Sequence, residues 1–152
     1  MNILVRLFGK AEVPLYQLIE PRTSEVLGRW AVHFPTYAEV VGYSALGHFF
    51  LRNPGAKEYA VLHPFKKAAK SYGSFSTLAE FEQNLLMEPG FQSYVLAPGH
   101  VQEIARRAGP RRPEEIYIPQ PYPFLGGSCE PETYDKGNVW VFADIVAQMQ
   151  SL

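Results

Sequence analysis

The chain of 152 residues has one cysteine, Cys129. A lone thiol forms no internal disulfide, so nothing here calls for an oxidising compartment. An excess of either charge is also lacking: 14 Lys and Arg against 15 Asp and Glu leave a formal net charge of −1. That argues against the basic domain typical of nucleic-acid binders, and equally against an acidic field able to mimic DNA. Long apolar runs are missing, since none approaches the roughly 18 residues of a membrane span. Met1 to Phe8 alternates apolar residues with Arg6 and lacks the apolar core and small-residue cleavage site of a signal peptide. The expectation is a soluble cytoplasmic protein. Internal repeats, low-complexity tracts and a domain boundary are absent too, and the length suits one domain with a real core.

What is present is apolar and turn-rich. Hydrophobic residues make up 47% and charged residues 19%, which places the chain among globular proteins. The densest turn chemistry is Asn53-Pro54-Gly55-Ala56-Lys57, between the apolar runs His48 to Arg52 and Glu58 to His63. Both faces of this hairpin carry apolar side chains, so an internal strand pair covered on both sides is expected. Val13 to Ile19 reads as a strand stopped by Glu20-Pro21. Val26, Leu27, Trp30, Ala31 and Phe34 share one helical face, and Pro35 ends that helix. Tyr37 to Val41 reads as a short apolar element before a turn at Gly42. Thr77 with Glu80 forms a capping box for a helix whose stripe is Leu78, Phe81, Leu85 and Leu86. A second helix spans about Gly99 to Ala108, with Arg106-Arg107 near its C-terminal end. Glu115 to Pro119 reads as a strand, Ser128 to Gly137 as an acidic loop, and Ala143 to Leu152 as helical. The fold class is α+β: a single domain over residues 1–152, with an antiparallel sheet around a central hairpin at about 47–63 and helices packed on it.

No catalytic or metal motif rises above background. His33, His48, His63 and His100 lack the i, i+4 pairing of a helical zinc site, and no cofactor is expected. Cys129 has no neighbouring cation in sequence to activate it. Gly126-Gly127-Ser128 lacks the frame of a phosphate loop. Lys66, Lys67, Lys70, Arg106, Arg107, Arg111 and Arg112 are too few for sequence-independent DNA affinity. The acidic stretch Glu130, Glu132, Tyr134 and Asp135 lies near Tyr117, Tyr122 and Trp140. Tyr and Trp are typical interface anchors and carboxylates steer basic partners. Taken alone, these residues read more readily as core aromatics and solvated acids than as an interface.

Two blocks carry a family resemblance. One is Gly42-Tyr43-Ser44-Ala45-Leu46-Gly47-His48-Phe49-Phe50-Leu51, continued by Glu58-Tyr59-Ala60-Val61-Leu62-His63-Pro64. The other is Pro123-Phe124-Leu125-Gly126-Gly127, followed by Ala143-Asp144-Ile145-Val146-Ala147-Gln148. Together, over about residues 13 to 150, they resemble bacterial type VI secretion immunity proteins of the Tdi type with a GAD-like region. The resemblance implies an antitoxin that is not an enzyme and that binds a secreted toxin, a DNase, by covering its active site. It carries no catalytic motif onto this chain, and its glycines and aliphatics imply a framework. Tyr117, Tyr122, Glu130, Glu132, Tyr134 and Asp135 are then the expected partner-binding residues of a cytoplasmic monomer that touches neither nucleic acid nor membrane. The alternative is a small-molecule-binding or enzymatic domain using His48 or His63.

Overall fold

The computed structural model describes residues 12–152, so the strand or arm expected over Met1 to Phe8 lies outside the described residues. Five strands form an antiparallel sheet in sequence order: β1 (Tyr16–Thr23), β2 (Glu39–Ser44), β3 (Phe49–Asn53), β4 (Glu58–His63) and β5 (Ala68–Ser74). The β3–β4 hairpin is central, as expected, and Asn53 pairs with Glu58 across its turn. Side chains alternate to opposite faces of a strand, and here both faces are apolar. Phe49, Leu51, Ala60 and Leu62 join one buried cluster, while Phe50, Tyr59 and Val61 join another.

Each face has its own cover. On the first lie a 3-10 turn (Ser24–Leu27) with Leu27, α1 (Arg29–His33) with Trp30, and the C-terminal helix α5 (Val139–Met149) with Phe142, Ala143, Val146 and Ala147. Asn138 caps α5, its Oδ1 accepting from the amides of Trp140 and Val141 at 2.9 and 3.0 Å. On the second face lies α2 (Leu78–Phe81), continued by a π-helical turn Glu82–Leu86, burying Phe81, Leu85 and Leu86. Thr77 caps it, its Oγ1 accepting from the Glu80 amide at 3.1 Å as expected, while the reciprocal bond falls one residue earlier, with Glu80 Oε2 accepting from the Ser76 amide at 3.1 Å. Next come α3 (Pro89–Phe91), also running into a π-helical turn, and α4 (Pro98–Ala108). Pro89 therefore opens a helix; the Glu88 carboxylate accepts from the amides of Gly90 and Phe91 at its start.

Three expectations change. Pro21 does not stop β1: the strand is at the sheet edge, where a missing N–H is tolerated, and the register shifts between Leu18 and Arg22. Gly42 is not a turn but lies inside β2. A Cβ there would stand 2.6 Å from the Gln17 carbonyl oxygen, so glycine serves close strand approach. The acidic stretch is not all loop, because β6 (Glu115–Pro119) pairs antiparallel with β7 (Tyr134–Asn138) as a two-stranded ribbon.

Candidate interaction surface

The β6–β7 ribbon and the segment connecting its strands carry the expected partner-binding residues, and the structure divides them into two groups. Its register sets Tyr117 opposite Lys136, Ile118 opposite Asp135 and Pro119 opposite Tyr134. Ile116 and Ile118 point into the α5 side of the core. Tyr117, on the opposite face, packs with Ala45, Val101 and Ile104 under α4. Both faces of β6 are thus covered, and Tyr117 is fully buried, with its hydroxyl donating to the Gly109 carbonyl at 2.6 Å. It is a core residue, which corrects its expected role as an interface anchor. Tyr122 is half-buried against Phe65, Phe124 and Phe142, at ring distances of 5.7, 5.5 and 6.3 Å. Tyr134 is half-buried as well: its hydroxyl is 3.2 Å from His100 Nε2, and the two rings meet edge-on at 5.2 Å. Burial, then the neighbouring Cys129 thiol, pushes the Tyr134 hydroxyl above its ordinary pKa. Trp140 lies between Tyr43 and Phe49 beneath the Arg22 guanidinium, 5.2 Å from its ring. Its buried Nε1 has no acceptor among the described residues.

The acids behave differently. Glu130, Glu132 and Asp135 are all exposed. The ion pairs among the described residues are Arg22–Glu114 and Arg52–Glu39, so none of the three has a cationic partner there. A short 3-10 turn, Pro131–Thr133, fixes the backbone between them, with Thr133 Oγ1 donating to the Glu130 carbonyl at 2.8 Å. Leu125, ahead of them on the connecting segment, is an exposed large apolar residue.

His48 and His63 sit on the hairpin with ring centroids 4.9 Å apart. The Ser44 hydroxyl oxygen accepts from the amides of Leu46 and His48, and lies 2.7 Å from His48 Nδ1. With two N–H groups on that oxygen, its own hydrogen is free for Nδ1, which fits a neutral imidazole. Burial, then His63 and Lys66, lowers the His48 pKa to about 3, and burial lowers that of His63 as well. Each is a histidine whose folded-state pKa is depressed below about 6.5. As pH falls, the unfolded chain therefore takes up the proton first and stability declines with it. From pH 7 to pH 5 the expected loss at His48 is about 2 kcal/mol. Urea midpoints across that window check this: His48→Asn should flatten the slope, and an unchanged slope would contradict it.

Two cavities collect most of the basic residues that form no single face, Lys70 and Arg107 lining neither. One, of about 660 Å³, is lined by Arg29, His33, Lys66 and Lys67. The other, of about 1050 Å³, lies beside β1 and the end of α4, and Arg106, Arg111 and Arg112 line it. Neither is legible in the sequence, because their walls come from segments far apart in the chain. Neither His48 nor His63 lines either of them. No group of three His, Cys, Asp or Glu side chains among the described residues could hold a metal ion. No described helix is long and apolar enough to cross a membrane.

The fold has a solved counterpart. The crystal structure of Atu4351 from Agrobacterium tumefaciens superposes with a TM-score of 0.60 at 14% identity, covering 89% of this chain and 67% of that one. At that identity the likeness concerns the α+β fold alone. No family model matches the chain, and no curated protein matches it.

Proposed function

We propose that this chain is an immunity protein. It binds a cognate toxin of a type VI secretion system, a DNA-cleaving nuclease, in the cytoplasm and covers the toxin's active site as a monomer. The observation that supports this reading is the set of exposed carboxylates Glu130, Glu132 and Asp135, which have no ion-pair partner among the described residues; Asp135 stands on β7, and Glu130 and Glu132 on the 3-10 turn that leads into it, beside the buried Ile116, Tyr117 and Ile118 of β6. A nuclease groove built to hold phosphates is positive, and carboxylates held by a rigid support can occupy phosphate positions without first being ordered. Exposed Leu125 offers an apolar contact on the same stretch. Tyr122 and Tyr134 can contribute only their accessible edges, since half of each is already used inside the fold.

The test is coexpression with the cognate toxin, sought among the genes beside this one, scored by cell rescue and by purification of the complex. A chain that neither binds nor rescues overturns the proposal. Within a complex that does form, E130R/E132R/D135R should lower the association rate constant about 100-fold at low salt, with a smaller change in dissociation. Unchanged association kinetics would remove the acidic ribbon from the interface.

A further inference from the structure

The cavity beside β1 has a composition that the immunity reading does not use. Its apolar walls include Val13, Pro14, Ile19, Ala105 and Pro113. Four arginines and three glutamates line it, which leaves one net positive charge. The glutamates are partly accounted for: Glu114 pairs with Arg22 at 3.4 Å, and Glu115 accepts from the Arg112 amide at 2.8 Å. Arg22 also covers the Trp140 ring. Arg106, Arg111 and Arg112 have no carboxylate at ion-pair distance among the described residues. Residues 1–11 contain no Asp or Glu that could supply one.

Arg111 is the distinctive member. It is half-buried, its guanidinium lies 5.4 Å from the Tyr117 ring centroid, and it donates to the Pro14 carbonyl. Desolvation holds its pKa below the ordinary arginine value. A guanidinium has five N–H donors in a planar fork. Among the described residues its partners are the Pro14 carbonyl and the Tyr117 side chain, which leave part of that capacity unmatched where water is already restricted. The cost of a desolvated charge falls when an anion is added beside it. The planar fork favours a carboxylate, which accepts two parallel hydrogen bonds.

We propose that this cavity is a binding site for a small organic carboxylate, an aryl or alkyl acid whose carboxylate sits on the Arg111 guanidinium and whose apolar body lies along Val13, Ile19 and Ala105. Its size matches small-molecule pockets, which run to about 1000 Å³. The single net positive charge favours a monoanion, and the glutamates around the cavity disfavour a polyphosphate chain. The site does not depend on the toxin-binding reading, because no toxin enters its test.

The experiment is an NMR titration of the full chain with 4-phenylbutyrate, its uncharged analogue 4-phenylbutyramide, and inorganic phosphate. 4-Phenylbutyrate should bind saturably and shift the resonances of Ile19, Ala105 and Arg111. The amide and phosphate should each bind at least tenfold more weakly. Arg111→Met should remove binding. Should that variant lose its fold with the Pro14 contact, Ala105→Trp decides the matter: it places an indole where the apolar body of the acid would lie, keeps Arg111, and should also abolish binding. Equal binding of acid and amide, equal binding of phosphate, shifts confined to the Lys66–Lys67 cavity, or full binding by Ala105→Trp would each overturn the proposal.

Discussion

Trp30→Ala is expected to lower the free energy of unfolding by about 4 kcal/mol. Trp30 is 1% exposed and belongs to the cluster that joins α1, α5 and the first face of the sheet. Its indole N–H donates to the Ala143 carbonyl at 2.8 Å, tying the short helix α1 to the middle of α5. Its ring lies nearly parallel to Phe34, with centroids 6.5 Å apart. Burying a tryptophan removes up to about 250 Å² from water, worth roughly 6 kcal/mol at 25 cal/mol per Å² as an upper bound. Alanine keeps part of that, and a helix of five residues can settle partway into the space. Both reduce the loss toward the middle of the range measured for large-to-small core changes. In a domain of this size a loss of 4 kcal/mol corresponds to a Tm lower by about 8 to 16 °C. Trp30→Phe keeps most of the volume but not the N–H, and should cost about 1 to 2 kcal/mol. Thermal and urea unfolding of both variants measure the difference. A loss under 1 kcal/mol for Trp30→Ala would mean that α1 is not part of the cooperative core.

What could be read in the sequence follows from how local the cause is. The β3–β4 hairpin is local: two alternating runs and a turn lie within 16 residues, and apolar residues on both faces announce two covers, which Phe81 and Phe142 supply. Within that turn the left-handed residue is Lys57, at φ +53°. The Thr77 cap is equally local, and its bond to the Glu80 amide forms at the expected spacing, with the Glu80 carboxylate turned to the Ser76 amide instead of that of Thr77. Gly42 misleads because its reason is a neighbouring strand 24 residues away. Strand β5 was hidden by its surface: Ala68 to Ser74 is mostly exposed and has weak alternation, and pairing with β4 makes it a strand. Strand β7 was hidden likewise, because Tyr134 to Asn138 is polar and pairs with residues up to 23 positions earlier.

The candidate surface shows the same limit. Exposure of Glu130, Glu132 and Asp135 follows from chemistry alone, since unpaired carboxylates are seldom buried. The fate of the tyrosines does not. Tyr117 alternates with Ile116 and Ile118, and whether its own side is wet depends on α4 lying across it. Only the chain's return from Ala108 through Gly109 to Glu115 brings that about. Arg111 is the converse case. In sequence it is one of several loop cations; in the fold the same loop places it over Tyr117 beside the Pro14 carbonyl.

Gly127→Ala is expected to cost about 3 kcal/mol, against about 1 kcal/mol for Gly126→Ala next to it. The two residues look alike in sequence, and their reasons differ in kind. Gly126 has φ +89°, the left-handed region that an L side chain enters at a cost, but a Cβ there would meet nothing within 4 Å. Its substitution strains one residue and touches no neighbour. At Gly127 an added Cβ would stand 1.9 Å from the Pro121 carbonyl oxygen, 2.8 Å from the Pro121 carbonyl carbon and 3.0 Å from the Tyr122 carbonyl oxygen. All three are backbone atoms, so no side chain can turn aside to relieve the contact. The loop must open, and opening it strains the Gly127 amide bond to the Tyr122 carbonyl at 3.1 Å. Tyr122 and Phe124 pack through this loop onto Phe65 and the α5 residue Phe142, so the displacement reaches the core. Urea unfolding of the two alanine variants, compared at equal m-value, tests the contrast. Equal losses would show that backbone conformation, rather than the crossing of two chain segments, is what glycine supplies at this turn.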